Sequence, residues 1–271
     1  MIPINLHLKK ININDKLFIY GKKNIKNNTF MSNSRKLHFI KNYNNLWEAK
    51  NNNTTIYIYL TKPNIKPFVP QLKKLFGRIN FMRIYAKNNK PLIIWIYDSN
   101  HKKQIPSTNI ITTDDINSGS TINYLNSAEN GQIFLWRNEE MPKVLLHELI
   151  HAFKLDRNHP KPNEAYTELK ALIANIYLEL LERRIALTDE NINKLIEHEK
   201  RFGIQQSQKV EKCKNQNTNI RFYINEKSRL LNEMDKKSWK DILLKTKSKN
   251  PYVNKKSLRF TITDFILDNK L

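Results

Sequence analysis

The 271-residue chain carries 47 Lys and Arg against 25 Asp and Glu, a formal net charge of +22, with 39% hydrophobic residues and one cysteine. That apolar content excludes a disordered polyelectrolyte and suffices for a core in one or two domains. Cys213, standing alone, excludes an internal disulfide framework and a zinc site built on several thiolates, and fits a reducing compartment. No run approaches the roughly 18 apolar residues of a membrane span, and the start at Met1 lacks the long apolar core of a signal peptide, so an intracellular, cytoplasmic location is expected.

The basic excess attracts nucleic acid, anionic surfaces and acidic proteins through counterion release and steering. Its lysines are dispersed, as at Lys9, Lys10, Lys102, Lys103, Lys236 and Lys237, with no nucleic-acid-reading motif around them. They read as solvated surface, with a non-specific anionic partner as the alternative.

In chain order, residues 1–50 mix Asn/Lys-rich turns with strand-like pieces such as 17–20, and their role is open. Residues 55–60 and 92–97 are expected as strands, and 67–86 as a helix with Val69, Leu72, Leu75 and Phe76 at helical spacing. Residues 117–121 read as a flexible segment, either bordering a cleft or forming a plain turn. A β-branched and aromatic run follows at 131–137, containing Ile133, Phe134, Leu135 and Trp136. The second half is helical: 163–184, then 189 to about Cys213 with Thr188 as its cap, then 225–234 and 237–244.

Between these halves lies His147-Glu148-Leu149-Ile150-His151. Side chains at i and i+4 share a helix face, so both imidazoles can donate a nitrogen to one zinc ion. Glu148 is about 100° round the helix from His147, off the ligand face but placed to take a proton from a metal-bound water. Pro142 suits a first helical turn, and Val144, Leu145, Leu146, Leu149, Ile150, Ala152 and Phe153 surround the ligands with apolar surface.

A third protein ligand is required, the fourth position being left to water. Thirteen residues after His151, Glu164 opens the stretch Glu164-Ala165-Tyr166-Thr167-Glu168, in which Glu164 and Glu168 share a helix face. The connector 156–162 can extend roughly 23 Å, enough to bring a second helix back beside the first. Asp156, His159 and Glu168 are the competing third ligands by position, although an acidic first-turn residue such as Glu164 also suits a helix dipole.

HELIH followed by NEAYTE resembles the gluzincin, thermolysin-like branch of the zincin metallopeptidases, whose pattern is HExxH and then a helix carrying NExx[ST][DE]. The resemblance spans about residues 144–178. It implies that His147, His151 and Glu164 hold one zinc ion per chain, that Glu148 is the general base, and that Glu168 is the carboxylate orienting a ligand imidazole. The His-to-Glu spacing is shorter than in thermolysin itself. A metzincin pattern fails, because Lys154 stands at its glycine position and Arg157 at its third-ligand position.

The resemblance further implies an α+β zincin-like fold: an upper subdomain, 51–160, with a mixed sheet and the HExxH helix, and a helical lower subdomain, 161–271. In zincins the strand preceding the HExxH helix is a sheet edge that pairs with extended peptide, which assigns substrate binding to Ile133, Phe134, Leu135 and Trp136; an interior strand is the other reading. An oxyanion-stabilising residue is expected from the lower part, with Tyr166, His159 and Tyr223 as candidates. The expected function is zinc-dependent peptide-bond hydrolysis. The alternatives are a zincin-fold basic binding module without turnover, and a hydrolase of a non-peptide amide. In its Asn, Lys and Ile richness the chain is also similar to HExxH proteins of large DNA viruses, a compositional likeness that would make the intracellular setting a host cell or virion.

Overall fold

A computed structural model of the chain describes residues 4–29, 31–122, 131–156, 164–215, 219–233 and 257–268. The fold is α+β. In chain order its strands are β1 (His7–Ile11), β2 (Asn45–Asn51), β3 (Thr54–Leu60), β4 (Leu92–Tyr97), β5 (Ile110–Ile111), β6 (Gly119–Ile122), β7 (Gln132–Leu135) and β8 (Lys214–Asn215). The helices are α1 (Lys16–Asn27), α2 (Asn33–Asn42), α3 (Val69–Ala86), α4 (Thr113–Ile116), α5 (Met141–Ala152), α6 (Glu164–Glu182), α7 (Asp189–Glu211), α8 (Lys227–Glu233) and α9 (Thr263–Asp268). Two compact units result, residues 1–101 with 117–160, and residues 102–116 with 161–271. No helix among the described residues is long and apolar enough to cross a membrane.

The first unit is built on a mixed six-stranded sheet ordered β1-β2-β3-β4-β7-β6. β3, β4 and β7 run parallel, while β1–β2, β2–β3 and β6–β7 are antiparallel. Side chains alternate across a strand, so each face has its own chemistry. One face is aromatic: Tyr57 stacks on Trp95 with centroids 4.5 Å apart, and Tyr59 lies parallel to Tyr97 at 5.2 Å. Phe18 and Ile25 of α1 and Phe39 of α2 join this cluster with Phe134 and Trp136. The opposite face is aliphatic, with Ile56, Ile58, Ile94, Ile96, Ile133 and Leu135 all buried. Thr121 pairs with Ile133 and Gly119 with Leu135, which puts these two β6 residues on the aliphatic face, where α5 packs on β6 and β7.

Residues 17–20, expected as strand, are helical. Asp15 caps α1 by accepting the Leu17 N–H at 2.8 Å, and Phe18, Gly21 and Ile25 fall on the buried side at helical spacing. Two sheet tyrosines hold that helix down, the Tyr59 hydroxyl donating to the Phe18 carbonyl and the Tyr97 hydroxyl to the Gly21 carbonyl. Burial raises the pKa of both phenols, so both remain donors across the physiological range. The strands expected at 55–60 and 92–97 are β3 and β4, and the helix at 67–86 is α3, entered through a single 3₁₀ turn at Lys66–Phe68.

Arg83 ties α3 to the sheet. Its guanidinium donates to the Asn53, Asn88 and Lys90 carbonyls and to the Thr54 hydroxyl, so a buried charge is fully surrounded by acceptors.

In the second unit α6, α7, α8 and α9 share a core of Leu169, Leu172, Ile176, Leu180, Leu195 and Leu231 among others. Thr188 caps α7 as expected, its hydroxyl accepting the Asn191 N–H at 3.2 Å. The helix expected at 225–234 opens instead as a π-helical turn, Phe222–Glu226, and continues as α8. The helix expected at 237–244 lies outside the described residues. Fully buried Glu199 on α7 accepts the backbone N–H groups of Ile262 and Thr263 at 2.9 Å, anchoring the start of α9.

Gly21 is where α1 meets the sheet most closely. A Cβ there would lie 2.6 Å from Tyr59 Cε2 and 2.8 Å from Trp95 Cζ3, and would also meet the Tyr59 hydroxyl. Gly21→Ala gains about 1 kcal/mol in helix propensity but overpacks two rigid rings, so a net loss of about 1–3 kcal/mol is expected. Urea unfolding followed by tryptophan fluorescence checks it; unchanged stability would show that α1 is not docked at this glycine.

Candidate metal centre

Helix α5 is apolar almost all round, and Met141, Lys143 through Ile150, and Ala152 are buried. Pro142 occupies its first turn, as expected, and Glu140 precedes it with φ 59°. A helix enclosed on every side must find a partner for each polar group it carries. The three site residues on it are placed accordingly.

His147 and His151 bring their Nε2 atoms to 3.1 Å, with rings 4.8 Å apart and steeply inclined. Two imidazoles on one tetrahedral zinc, with Zn–N about 2.0–2.1 Å, hold their nitrogens about 3.3 Å apart. The pair therefore already has nearly the spacing that zinc requires. On the other side of the His151 ring, Nδ1 lies 2.7 Å from Asp156 Oδ2. A carboxylate accepts and cannot donate, so Nδ1 bears a proton toward Asp156, and Nε2 is the nitrogen turned to His147.

The chain reaches Asp156 through a helix-ending turn. The Leu155 N–H donates to the Ile150 carbonyl at 2.9 Å and the Lys154 N–H to the His151 carbonyl at 3.0 Å, the two bonds of a Schellman motif. Lys154 occupies the left-handed position at φ 59°. This is where a glycine is expected, and a residue with a Cβ costs roughly 1–2 kcal/mol there. Asp156, read from sequence as a rival ligand, thus sits behind the second histidine.

Glu148 points toward strand β6. Its Oε2 accepts the Thr121 hydroxyl at 2.7 Å, and the same hydroxyl lies 3.1 Å from the Glu148 carbonyl. Glu148 is 6% exposed, so this donor compensates for part of the water the carboxylate has lost. Gly119, two residues earlier, leaves room for it: a Cβ at that position would lie 2.8 Å from both Glu148 Oε1 and Val144 Cγ1.

The order of strands corrects the expected edge. β7, with Ile133, Phe134, Leu135 and Trp136 all nearly inaccessible, is an interior strand between β4 and β6. The edge is β6, and on its far side no strand pairs with it among the described residues. Ile133, Phe134, Leu135 and Trp136 therefore have no backbone edge to offer a peptide. Nor is residues 117–121 a loose segment. The Asn117 carbonyl accepts the Trp136 indole and the Arg137 guanidinium, both at 2.9 Å, and the Ser118 carbonyl accepts the Trp136 N–H at 2.9 Å.

The remaining candidates lie in the second unit. Glu164 is the first residue of α6 and half-buried; Glu168, one turn on, is buried. Half-buried Tyr166 has its ring 4.6 Å from the Lys170 ammonium. Tyr223 lies in the π-helical turn, its ring 5.3 Å from Phe260 at the margin of an apolar cluster, a packing position. His159 lies outside the described residues.

Thr121, Gly119 and the orienting place of Asp156 were not read from sequence. Asp156 had a local signal, five residues past His151 and just beyond a helix end. Thr121 fell only within the segment 117–121 read as bordering a cleft or forming a turn, and the pairing of β6 with β7 is what brings it to Glu148. No protein-family profile, curated protein or solved structure matches the chain.

Gly119→Ala should cost about 1–3 kcal/mol through overpacking against Glu148 and Val144. A double-mutant cycle with Val144→Ala checks the cause, because removing the Val144 methyls should recover at least about 0.5 kcal/mol beyond additivity. Strict additivity would mean that Gly119 and Val144 do not meet.

Proposed function

We propose that the protein is a zinc-dependent peptidase of zincin type, carrying one zinc ion held by His147, His151 and Glu164. The observation that carries this reading is the His147–His151 pair, with Nε2 atoms 3.1 Å apart on a helix that also bears a buried carboxylate. The pair needs a third donor, which the likeness of HELIH and NEAYTE to the gluzincin pattern assigns to Glu164. Two neutral imidazoles and one carboxylate are the donor set of catalytic zinc sites, which leave a position for water. Bound there, zinc would supply Lewis-acid polarisation of the scissile carbonyl and lower the pKa of the attacking water.

The protein groups do the rest. Glu148 takes a proton from the attacking water and delivers it to the leaving amine, a role for which one carboxylate suffices in both directions. Thr121 holds the carboxylate in one orientation through its 2.7 Å hydrogen bond, and Gly119 keeps the space beside it clear. Burial in an apolar helix environment strengthens each of these electrostatic interactions. The outer edge of β6, which no strand among the described residues pairs with, is where an extended peptide backbone would be received, in place of the interior strand β7.

Glu148→Gln keeps size and shape but removes the base. Digestion of a peptide library by the zinc-loaded protein should fall by at least about 10²-fold, with zinc stoichiometry unchanged. Unaltered turnover would remove Glu148 from the reaction, and stoichiometric zinc with no hydrolysis by the wild type would favour a binding module.

The two acidic residues of α6 separate in a zinc competition titration. Glu164→Ala should lose most of the affinity, whereas Glu168→Ala, as an outer-shell partner, should weaken it about 10- to 100-fold. The reverse order would move the ligand one turn along the helix.

A further inference from the structure

The carboxylate found on a ligand imidazole is Asp156, at 2.7 Å from His151 Nδ1, and it belongs to the same unit as the histidine pair. We infer that Asp156 is the positioning residue of His151: it sets the tautomer and ring orientation with which that imidazole meets a metal ion. The inference rests on the zinc reading above and adds a residue to it, since the sequence pattern points to Glu168 for this task.

Three observations support the assignment. First, the hydrogen bond is short and reaches the ring nitrogen opposite the one turned to His147, so a single contact holds a proton on Nδ1 and sets the ring with Nε2 toward His147. An imidazole free to choose its tautomer would present N–H instead of a lone pair for part of the time. Second, both partners are shielded, with side-chain exposures of 21% and 17%, so water competes weakly for either. Third, the helix ends in a defined turn: the Schellman bonds from Lys154 and Leu155, of the kind that also end α3 at Lys87 and α6 at Arg184, turn the chain back so that Asp156, just past the turn, faces the last helical turn.

The spacing also argues against Asp156 as a ligand. With its carboxylate on Nδ1, it lies on the side of the ring away from His147. A carboxylate behind a ligand imidazole makes the ring a better donor and lowers the cost of ordering it.

Zinc competition titration against a chromophoric chelator tests this on the full chain, with wild type, Asp156→Ala, Asp156→Asn and His147→Ala compared, and thermal unfolding of the zinc-free proteins run alongside. Asp156→Ala should bind zinc about 10- to 100-fold more weakly, and His147→Ala should bind none stoichiometrically. Asp156→Asn keeps an acceptor oxygen for Nδ1–H and should recover most of the lost affinity, which a merely structural role would not require. The cobalt(II)-loaded Asp156→Ala protein should show an altered ligand-field spectrum that Asp156→Asn restores.

Wild-type affinity in Asp156→Ala, with His147→Ala unable to bind, would overturn this inference and leave the zinc site standing. Losses in Asp156→Ala and Asp156→Asn as complete as in His147→Ala would make Asp156 a ligand and overturn it in the other direction. Zinc retained by His147→Ala would remove the zinc reading, and the inference with it.

Discussion

Helix α5 is buried around most of its circumference while carrying two imidazoles and a carboxylate, and the first unit is arranged around that constraint. Polar groups taken out of water must be paired, or the helix would be expelled from the core. His151 is paired with Asp156, Glu148 with Thr121, and the two imidazoles face each other. Each partner comes from a different piece of chain, a post-helix turn in one case and a sheet edge in the other. Neither is interchangeable with a water molecule without changing where the imidazole or the carboxylate points.

The sheet makes that arrangement possible by dividing its two faces. Tyrosines and tryptophans on one side are covered by α1 and α2, where the hydroxyls of Tyr59 and Tyr97 donate to the Phe18 and Gly21 carbonyls of α1. Isoleucines and leucines on the other side accept α5. At the edge of that aliphatic face the residues become small or polar, Gly119 and Thr121, where they meet Glu148. A larger residue at 119 would push the carboxylate aside, and an apolar residue at 121 would leave it without its donor. The face that supports the helix is therefore also the face that orients the Glu148 carboxylate.

The two carboxylates with claims on an outer-shell role differ in kind. Glu168 belongs to α6 and is assigned by resemblance to a motif. Asp156 is assigned by a hydrogen bond within the unit that carries the histidines, made through a left-handed Lys154. Placing a residue with a Cβ in that conformation has an energetic cost, which the two Schellman bonds help to offset here as they do at Lys87 and Arg184.

Sequence by itself determined what depends on neighbours along the chain. The i, i+4 spacing put both histidines on one face of α5, the alternating and β-branched runs marked β3 and β4, and Thr188 announced the start of α7, because each of these rests on local geometry. Only the tertiary structure decided the rest. Residues 17–20 look like a strand by composition but form a helix because Asp15 caps them and the sheet tyrosines hold them. Strand β7 looks like an edge by its place before α5, yet is interior because β6, earlier in the chain, pairs beyond it. Thr121 reaches Glu148, 27 residues away, only through that pairing. Which strand lies outermost, and which side chain meets a buried carboxylate, are set by non-local hydrogen bonds, and those leave no period in the sequence.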